Sequence, residues 1–286
     1  MTTPTLTHSQ ETDAGKRFAF GANWARFLGI LDEERIAQAQ ASLCRMLGVQ
    51  SLHGLRMLDA GSGSGLFSLA ARRLGAVVHS FDFDPLSVAC THELRRRYFA
   101  DDPLWQVEEA SVLDPHYLQG LGSFDLVYSW GVLHHTGSMW AGLGHLVERV
   151  RPGGKLFIAI YNDQGWISRY WTAVKRAFVA VPLARWPLML LHAPYLFGGR
   201  WLARRLSGRA QVDRGMALWV DMVDWVGGYP FEVARPEAIF RFARDRGYRL
   251  HELVTCGGRH GCNEFVFERP VEPAVQTGSP TRRAGA

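Results

Sequence analysis

Leu58-Asp59-Ala60-Gly61-Ser62-Gly63-Ser64-Gly65 follows the strand-like Leu55-Arg56-Met57, and Asp82 closes the run Ala76-Val77-Val78-His79-Ser80-Phe81, 23 residues after Asp59. A strand, a glycine turn, a helix and a second strand ending in an acid make the βαβ unit that cradles an adenosine-containing ligand. Gly61, Gly63 and Gly65 let the backbone turn tightly and approach a ligand where a Cβ would collide. Asp82 can accept hydrogen bonds from both ribose hydroxyls. The glycine spacing is G-x-G-x-G, whereas a dinucleotide fingerprint wants G-x-G-x-x-G/A, and Leu66 stands where its third small residue belongs. With Asp59 just ahead of the turn, the pattern suits a ligand with a cationic amino acid end rather than a pyrophosphate.

This turn resembles motif I of the class I S-adenosylmethionine-dependent methyltransferases, and four further stretches fall in that family's order. Phe81-Asp82-Phe83-Asp84-Pro85 resembles the ribose-binding strand end, with Phe83 set against the adenine. Glu109-Ala110-Ser111-Val112-Leu113-Asp114 resembles the segment at the adenine edge, although Ser111 stands where many relatives carry an acid. Residues Phe124 to His135 resemble the fourth strand and its loop, and Val150 to Ile160 the turn into the fifth. The resemblance covers residues 55 to 163. It implies S-adenosylmethionine as cofactor and S-adenosylhomocysteine as product. Asp59, Gly61, Ser62, Gly63 and Gly65 would hold the cofactor at the turn, Asp82 and Phe83 at the second strand end, and Ser111, Val112, Ser129 and Trp130 beyond it.

The pattern alternates: helix 64–74, strand 76–82, helix 85–99, strand 105–110, strand 124–130, helix 138–150, strand 155–161. Helix 235–246 is followed by two β-rich runs, Tyr248–Thr255 and Asn263–Glu268, joined by a Cys-Gly-Gly turn. Alternation of this kind signals a parallel sheet covered by helices on both faces. The expected fold is α/β: a doubly wound, mostly parallel seven-stranded sheet with a terminal antiparallel hairpin and a helical insert after the fifth strand. Residues 1–18, polar and aperiodic, are expected to be disordered, as is the 270–286 tail. The Rossmann-like domain then takes residues 19–162 and 230–269, with one or two cap helices between Phe20 and Leu47. Those helices either pack on the sheet or bring Asn23, Trp24 and Phe27 over the cofactor.

The 163–229 insert carries the individuality of the chain. Between Gln164 and Arg214 nine basic residues (Arg169, Lys175, Arg176, Arg185, Arg200, Arg204, Arg205, Arg209, Arg214) face one acid, Asp213, while the whole chain is only +5. General affinity of the core for nucleic acid is therefore not supported. Ala177 to Leu196 is rich in apolar residues, but Pro182, Arg185, Pro187 and Pro194 break any single spanning helix. The composition suits a surface that leans on a bilayer, a pocket for an apolar and anionic substrate, or a helical subdomain with solvated arginines. Read as a substrate lid, the insert and the loops around it offer Asn162, Trp166, Arg169, Tyr170, Trp225 and Tyr229, with Trp24 opposite.

At 286 residues and 47% hydrophobic content the chain can bury a large core. Its amino terminus lacks a secretory pattern, and a cytoplasmic place, peripheral to the membrane at most, is the expectation. The four cysteines do not make a disulfide framework in a chain of this length. Cys256, His260 and Cys262 could meet at one hairpin tip, but structural zinc needs a fourth ligand and usually C-x-x-C pairs, so no metal is expected.

Methyl transfer asks the protein to hold the acceptor in line and, for a hydroxyl or amine, to remove a proton. At the carboxyl ends of the fourth and fifth strands stand His134, His135, Tyr161 and Asp163. One of the two histidines is the candidate base, His134 slightly favoured, with Asp163 orienting it or the substrate. Three functions remain: a methyltransferase acting on O, N or S of a small-molecule or lipid-like acceptor, anionic or neutral; a transfer-RNA methyltransferase gripping phosphates with the insert; and a non-catalytic cofactor-binding protein.

Overall fold

The computed structural model describes residues 7–194, 223 and 225–271. Arg200, Arg204, Arg205, Arg209 and Arg214 of the insert, residues 1–6, and the 272–286 part of the expected tail lie outside them.

The sheet contains β1 (Arg56–Ala60), β2 (Val77–Asp82), β3 (Trp105–Glu109), β4 (Phe124–Trp130), β5 (Val150–Tyr161), β6 (Arg249–Val254) and β7 (Cys262–Glu268). Their order is β3-β2-β1-β4-β5-β7-β6. The first five run parallel, whereas β7 is antiparallel to both β5 and β6. This is the seven-stranded α/β fold expected from the alternation. The order reverses between β1 and β4, and a crevice at the carboxyl ends of strands flanking such a switch point is the general place for a ligand in these sheets.

Helices cover both faces. On one, α3 (Glu33–Leu47), α4 (Leu66–Arg73) and α5 (Pro85–Tyr98) pack around Ile36, Leu43, Met57, Leu69 and Trp105. On the other, α6 (Pro115–Gly120) and α7 (Met139–Val147) pack with the late helix Pro236–Arg244 around Leu118, Leu143, Leu156, Ile239 and Phe265. Local chemistry sets the boundaries. Asp84 and Asp114 cap α5 and α6, each with proline just inside the helix, and Gly48 ends α3 in the left-handed conformation.

Two elements precede β1 besides α3. The short α2 (Gly21–Leu28) docks through the Gly21 N–H, which donates to Asp84 Oδ2 at 2.7 Å. A Cβ on Gly21 would meet the Asp84 carboxylate, so glycine is what allows this approach. The second, α1 (His8–Asp13), corrects the expectation that residues up to 18 lack structure. Thr7 and Gln10 form a reciprocal capping box, His8 sits 3.5 Å from Asp84, and Phe18 N–H donates to Tyr229 O at 2.8 Å. Its order comes from partners far along the chain, not from an apolar stripe.

After β5 the chain enters α8 (Trp166–Ala180), a turn at Pro182–Ala184 and a helix over residues 185–194, with a bend of 120° between the two helical arms. Trp171, Val174, Phe178, Met189 and Val226 form a separate small core. Among the described residues no single helix is long and apolar enough to cross a membrane.

Candidate active site

A cavity of about 500 Å³ opens at the switch point. Its floor is the glycine turn. Gly61, Gly63 and Gly65 all have positive φ, at 86°, 55° and 80°. A Cβ on Gly65 would lie 2.9 Å from the Thr91 Cα, one on Gly63 would lie 3.1 Å from the Trp24 indole, and one on Gly61 would collide with the Val132 side chain. Glycine is required here by both conformation and space.

Two acids line the floor. Asp82 Oδ2 accepts the Gly63 N–H at 2.9 Å, and Oδ1 accepts the Asp84 N–H at 2.9 Å. Each oxygen keeps acceptor capacity for a ribose hydroxyl. Burial pushes the Asp82 carboxyl up to about 6, against the backbone hydrogen bonds from Asp84, Gly63 and Phe83 that favour the ion. Asp59 is deeper, and burial raises it to about 7. It ends a buried relay in which the Trp105 indole N–H donates to Ser80 Oγ at 3.0 Å, Ser80 pairs with Ser68 Oγ at 2.7 Å, and Ser68 donates to Asp59. A cavity with two such carboxyls favours a cationic ligand that restores their ionised forms.

The walls come from elements distant in sequence. Phe83, Ser111 and Val112 stand on the β2 and β3 side, and Trp130, Val132, His135 and Tyr161 on the β4 and β5 side. Phe20, Trp24 and Phe27 close it from the amino-terminal segments. Arg17 lies with its guanidinium 5.2 Å from the Phe83 ring centroid and donates to His135 O at 2.7 Å, tying the strap between α1 and α2 across the site.

The two histidines differ in kind. His134 is fully buried and does not line the cavity; its Nδ1 accepts the Tyr161 N–H at 3.3 Å, so the proton resides on Nε2, which has no hydrogen-bond partner. His135 faces the cavity, and its Nδ1 is 2.7 Å from Pro230 O. A carbonyl only accepts, so Nδ1 carries the proton and the Nε2 lone pair is the basic site. Burial first, then the cations of Lys175 and Arg17, lowers the His135 imidazole to about 3, although the bond to Pro230 opposes this. The preference for His134 is thus not carried by the geometry.

Other predicted positions sit outside the cavity wall. Ser129 is buried and donates to Ala60 O at 2.9 Å, holding β4 to β1. Asp163 Oδ1 accepts the Gly165 N–H at 2.8 Å and its Oδ2 lies 3.9 Å from Arg235, while Asn162 pairs with Asn263 at 3.1 Å. These side chains fasten the end of β5. Trp166, Arg169 and Tyr170 are on the exposed face of α8, where Tyr170 hydroxyl pairs with His192 Nε2 at 2.7 Å. Trp225 and Tyr229 belong to the small insert core behind Tyr161, not to the cavity wall. Among the described residues no group of three or more metal-ligating side chains is assembled.

Sequence reasoning missed a second arm of the cavity. Arg35, Gln38, Ser42 and Arg45 present one face of α3 to it, opposite Phe67, Tyr128 and Glu264. Their helical spacing was available as a signal, but their polarity reads as a solvated face.

The family model described as a methyltransferase domain matches residues 58–156. The ubiquinone biosynthesis O-methyltransferase of Xanthomonas euvesicatoria pv. vesicatoria (strain 85-10) is 35% identical over 113 residues, 39% of this chain and 45% of that protein. Its counterpart in Xanthomonas oryzae pv. oryzae (strain PXO99A) is 34% identical over 113 residues, with the same shares of the two chains, 39% and 45%. The chain thus spans less than half the length of the curated relatives it matches. Among solved structures, the magnesium protoporphyrin IX methyltransferase from Synechocystis PCC 6803 with bound SAM superposes with a TM-score of 0.55 at 13% identity, over 94% of this chain and 100% of the other. An O-methyltransferase family protein from Burkholderia thailandensis gives 0.54 at 13% identity, over 93% and 68%. These two likenesses concern the fold.

Proposed function

We propose that this chain, whose residues 58–156 form a methyltransferase domain, methylates a hydroxyl of a small, partly apolar molecule using S-adenosylmethionine. The observation that carries this is one cavity holding both the Gly61–Gly65 cradle with Asp82 and the imidazole of His135. The cradle fits the cofactor: three glycines at positive φ make the tight turn, and Asp82 has acceptor capacity for its ribose. Bound there, S-adenosylmethionine supplies an electrophilic methyl group. Trp24 and Phe20 exclude water from the acceptor side, and His135 Nε2 takes the hydroxyl proton as the oxygen gains the methyl group. The names of the curated relatives favour an oxygen acceptor on a lipid-like molecule.

Incubation with methyl-labelled S-adenosylmethionine and fractionated cell extract tests this. Label is expected in a small-molecule or lipid fraction. Label in RNA instead would move the reading to a nucleic-acid methyltransferase, and cofactor retention with no transfer to any fraction would remove catalysis from it.

The raised carboxyls of Asp59 and Asp82 set the pH response of binding. Both bind protons in the empty protein below about 6 to 7, and a cationic ligand selects their ionised forms. Affinity for S-adenosylmethionine, whose sulfonium makes it a net cation, is therefore expected to rise as pH climbs from about 5 to 8, with proton release on binding over the lower part of that range. Calorimetry in buffers of different ionisation enthalpy measures both quantities. A flat profile would mean that the two acids are already ionised without ligand.

A further inference from the structure

We propose that the chain docks on an anionic bilayer through the outer face of its bent helical pair. Val181, Leu183, Leu190 and Leu191 are 48%, 91%, 71% and 69% exposed, and Trp186 beside them is 67% exposed. On the 185–194 helix the buried or half-buried positions are Leu188, Met189, His192 and Ala193; the exposed ones are Arg185, whose side chain folds back to donate to Phe178 O at 3.1 Å, and Trp186, Pro187, Leu190, Leu191 and Pro194, which together make an apolar face. A face that is apolar across its full width is unlike the scattered apolar residues of an ordinary solvated surface. The exposed face of α8 adds Trp166 at 69% and Tyr170 at 45% exposure, aromatic residues suited to the boundary between headgroups and acyl chains.

Charge selects the occupant. Residues 164–194 contain four basic side chains and no acid, and Arg169, Arg176 and Arg185 are exposed. Arginines around an apolar face complement anionic headgroups. A second copy of the chain would oppose the same arginines with no acid in this stretch to pair with them. The 120° bend and the lengths of the two arms suit lying in the interface rather than crossing it.

The inference does not rest on the acceptor or on catalysis. Flotation of the full chain, without cofactor, compares vesicles of phosphatidylcholine and phosphatidylglycerol with vesicles of phosphatidylcholine alone. The chain is expected to float with the mixed vesicles, less so as salt rises. The pair Leu183→Glu and Leu190→Glu is expected to lower vesicle binding by on the order of tenfold or more. Unchanged S-adenosylhomocysteine affinity in the same preparation certifies that the pair remains folded. A milder pair, Leu183→Ser and Leu190→Ser, gives the same reading should the first not fold. No binding to mixed vesicles, equal binding to both vesicle types, or binding indifferent to the substitutions overturns the proposal. So does a dimer that these substitutions convert to monomer without any vesicle binding by the wild type.

Discussion

His135→Ala lowers turnover by about 10²-fold, the low end of the range for a general base because the imidazole is held down to about 3, and leaves the Kd for S-adenosylhomocysteine nearly unchanged. The expectation rests on the Nδ1 proton held by Pro230 O, which leaves Nε2 as the lone-pair nitrogen on a cavity-facing ring. Because the imidazole is held down to about 3, it stays neutral throughout the physiological range and contributes no inflection to the rate profile there. Added imidazole is expected to restore part of the lost rate, which a merely structural defect would not allow. His134→Ala serves as the contrast: its ring is fully buried against Tyr161, 3.9 Å between centroids, so the cost appears as a lower Tm. Should His135→Ala keep turnover within about threefold of wild type, Nε2 is not the base, and the Tyr161 hydroxyl on the same wall becomes the group to test.

The second large effect is on the cofactor itself. Asp82→Ala is expected to weaken S-adenosylhomocysteine binding by about 1–3 kcal/mol, roughly 5- to 150-fold, through the loss of ribose acceptors. The substitution also releases the N–H groups of Gly63 and Asp84, so the turn loses the anchor that holds it to the β2 end. Asp82→Asn separates the two effects, since the amide oxygen can keep one backbone donor while the charge is gone. Calorimetry on the three proteins reads this directly. Tighter binding of a nicotinamide dinucleotide than of S-adenosylhomocysteine by the wild type would remove the cofactor reading altogether.

Much of the sheet was legible because each strand is bounded by local signals. The glycine turn, the Asp84-Pro85 cap and the antiparallel pair flanking Cys256 to Gly261 all act over a few residues. At β5 the agreement was partial: pairing begins at Val150, ahead of the Pro-Gly-Gly turn from which a strand at 155 was expected. The six-residue α6 was missed although Asp114 and Pro115 announce its start, because it is too short to show a period. Long-range pairing hid the rest. His8 is 76 positions from Asp84, and Arg17 is 118 from His135. Nothing near them in the chain encodes those partners, and a polar run without periodicity reads as unstructured until the acceptors are known. The choice between His134 and His135 was equally hidden, since it depends on which ring faces the cavity and on whether the backbone group at Nδ1 donates or accepts.

That dependence has a practical side. The atom fixing the His135 tautomer is a main-chain oxygen, and it is delivered by the segment that returns from the insert, 95 positions downstream. Every amino acid supplies such an oxygen, so the identity of residue 230 does not by itself reveal the acceptor. Comparison of sequences is blind to it for the same reason. What does disturb it is the path of the chain: a residue added or removed between the end of α8 and Pro230 can shift that oxygen along the backbone while every side chain in the cavity keeps its identity. Chimeras that exchange the insert for one of another length should therefore be judged by the state of the imidazole, read by nitrogen chemical shifts, before a lost activity is ascribed to the substrate they no longer fit.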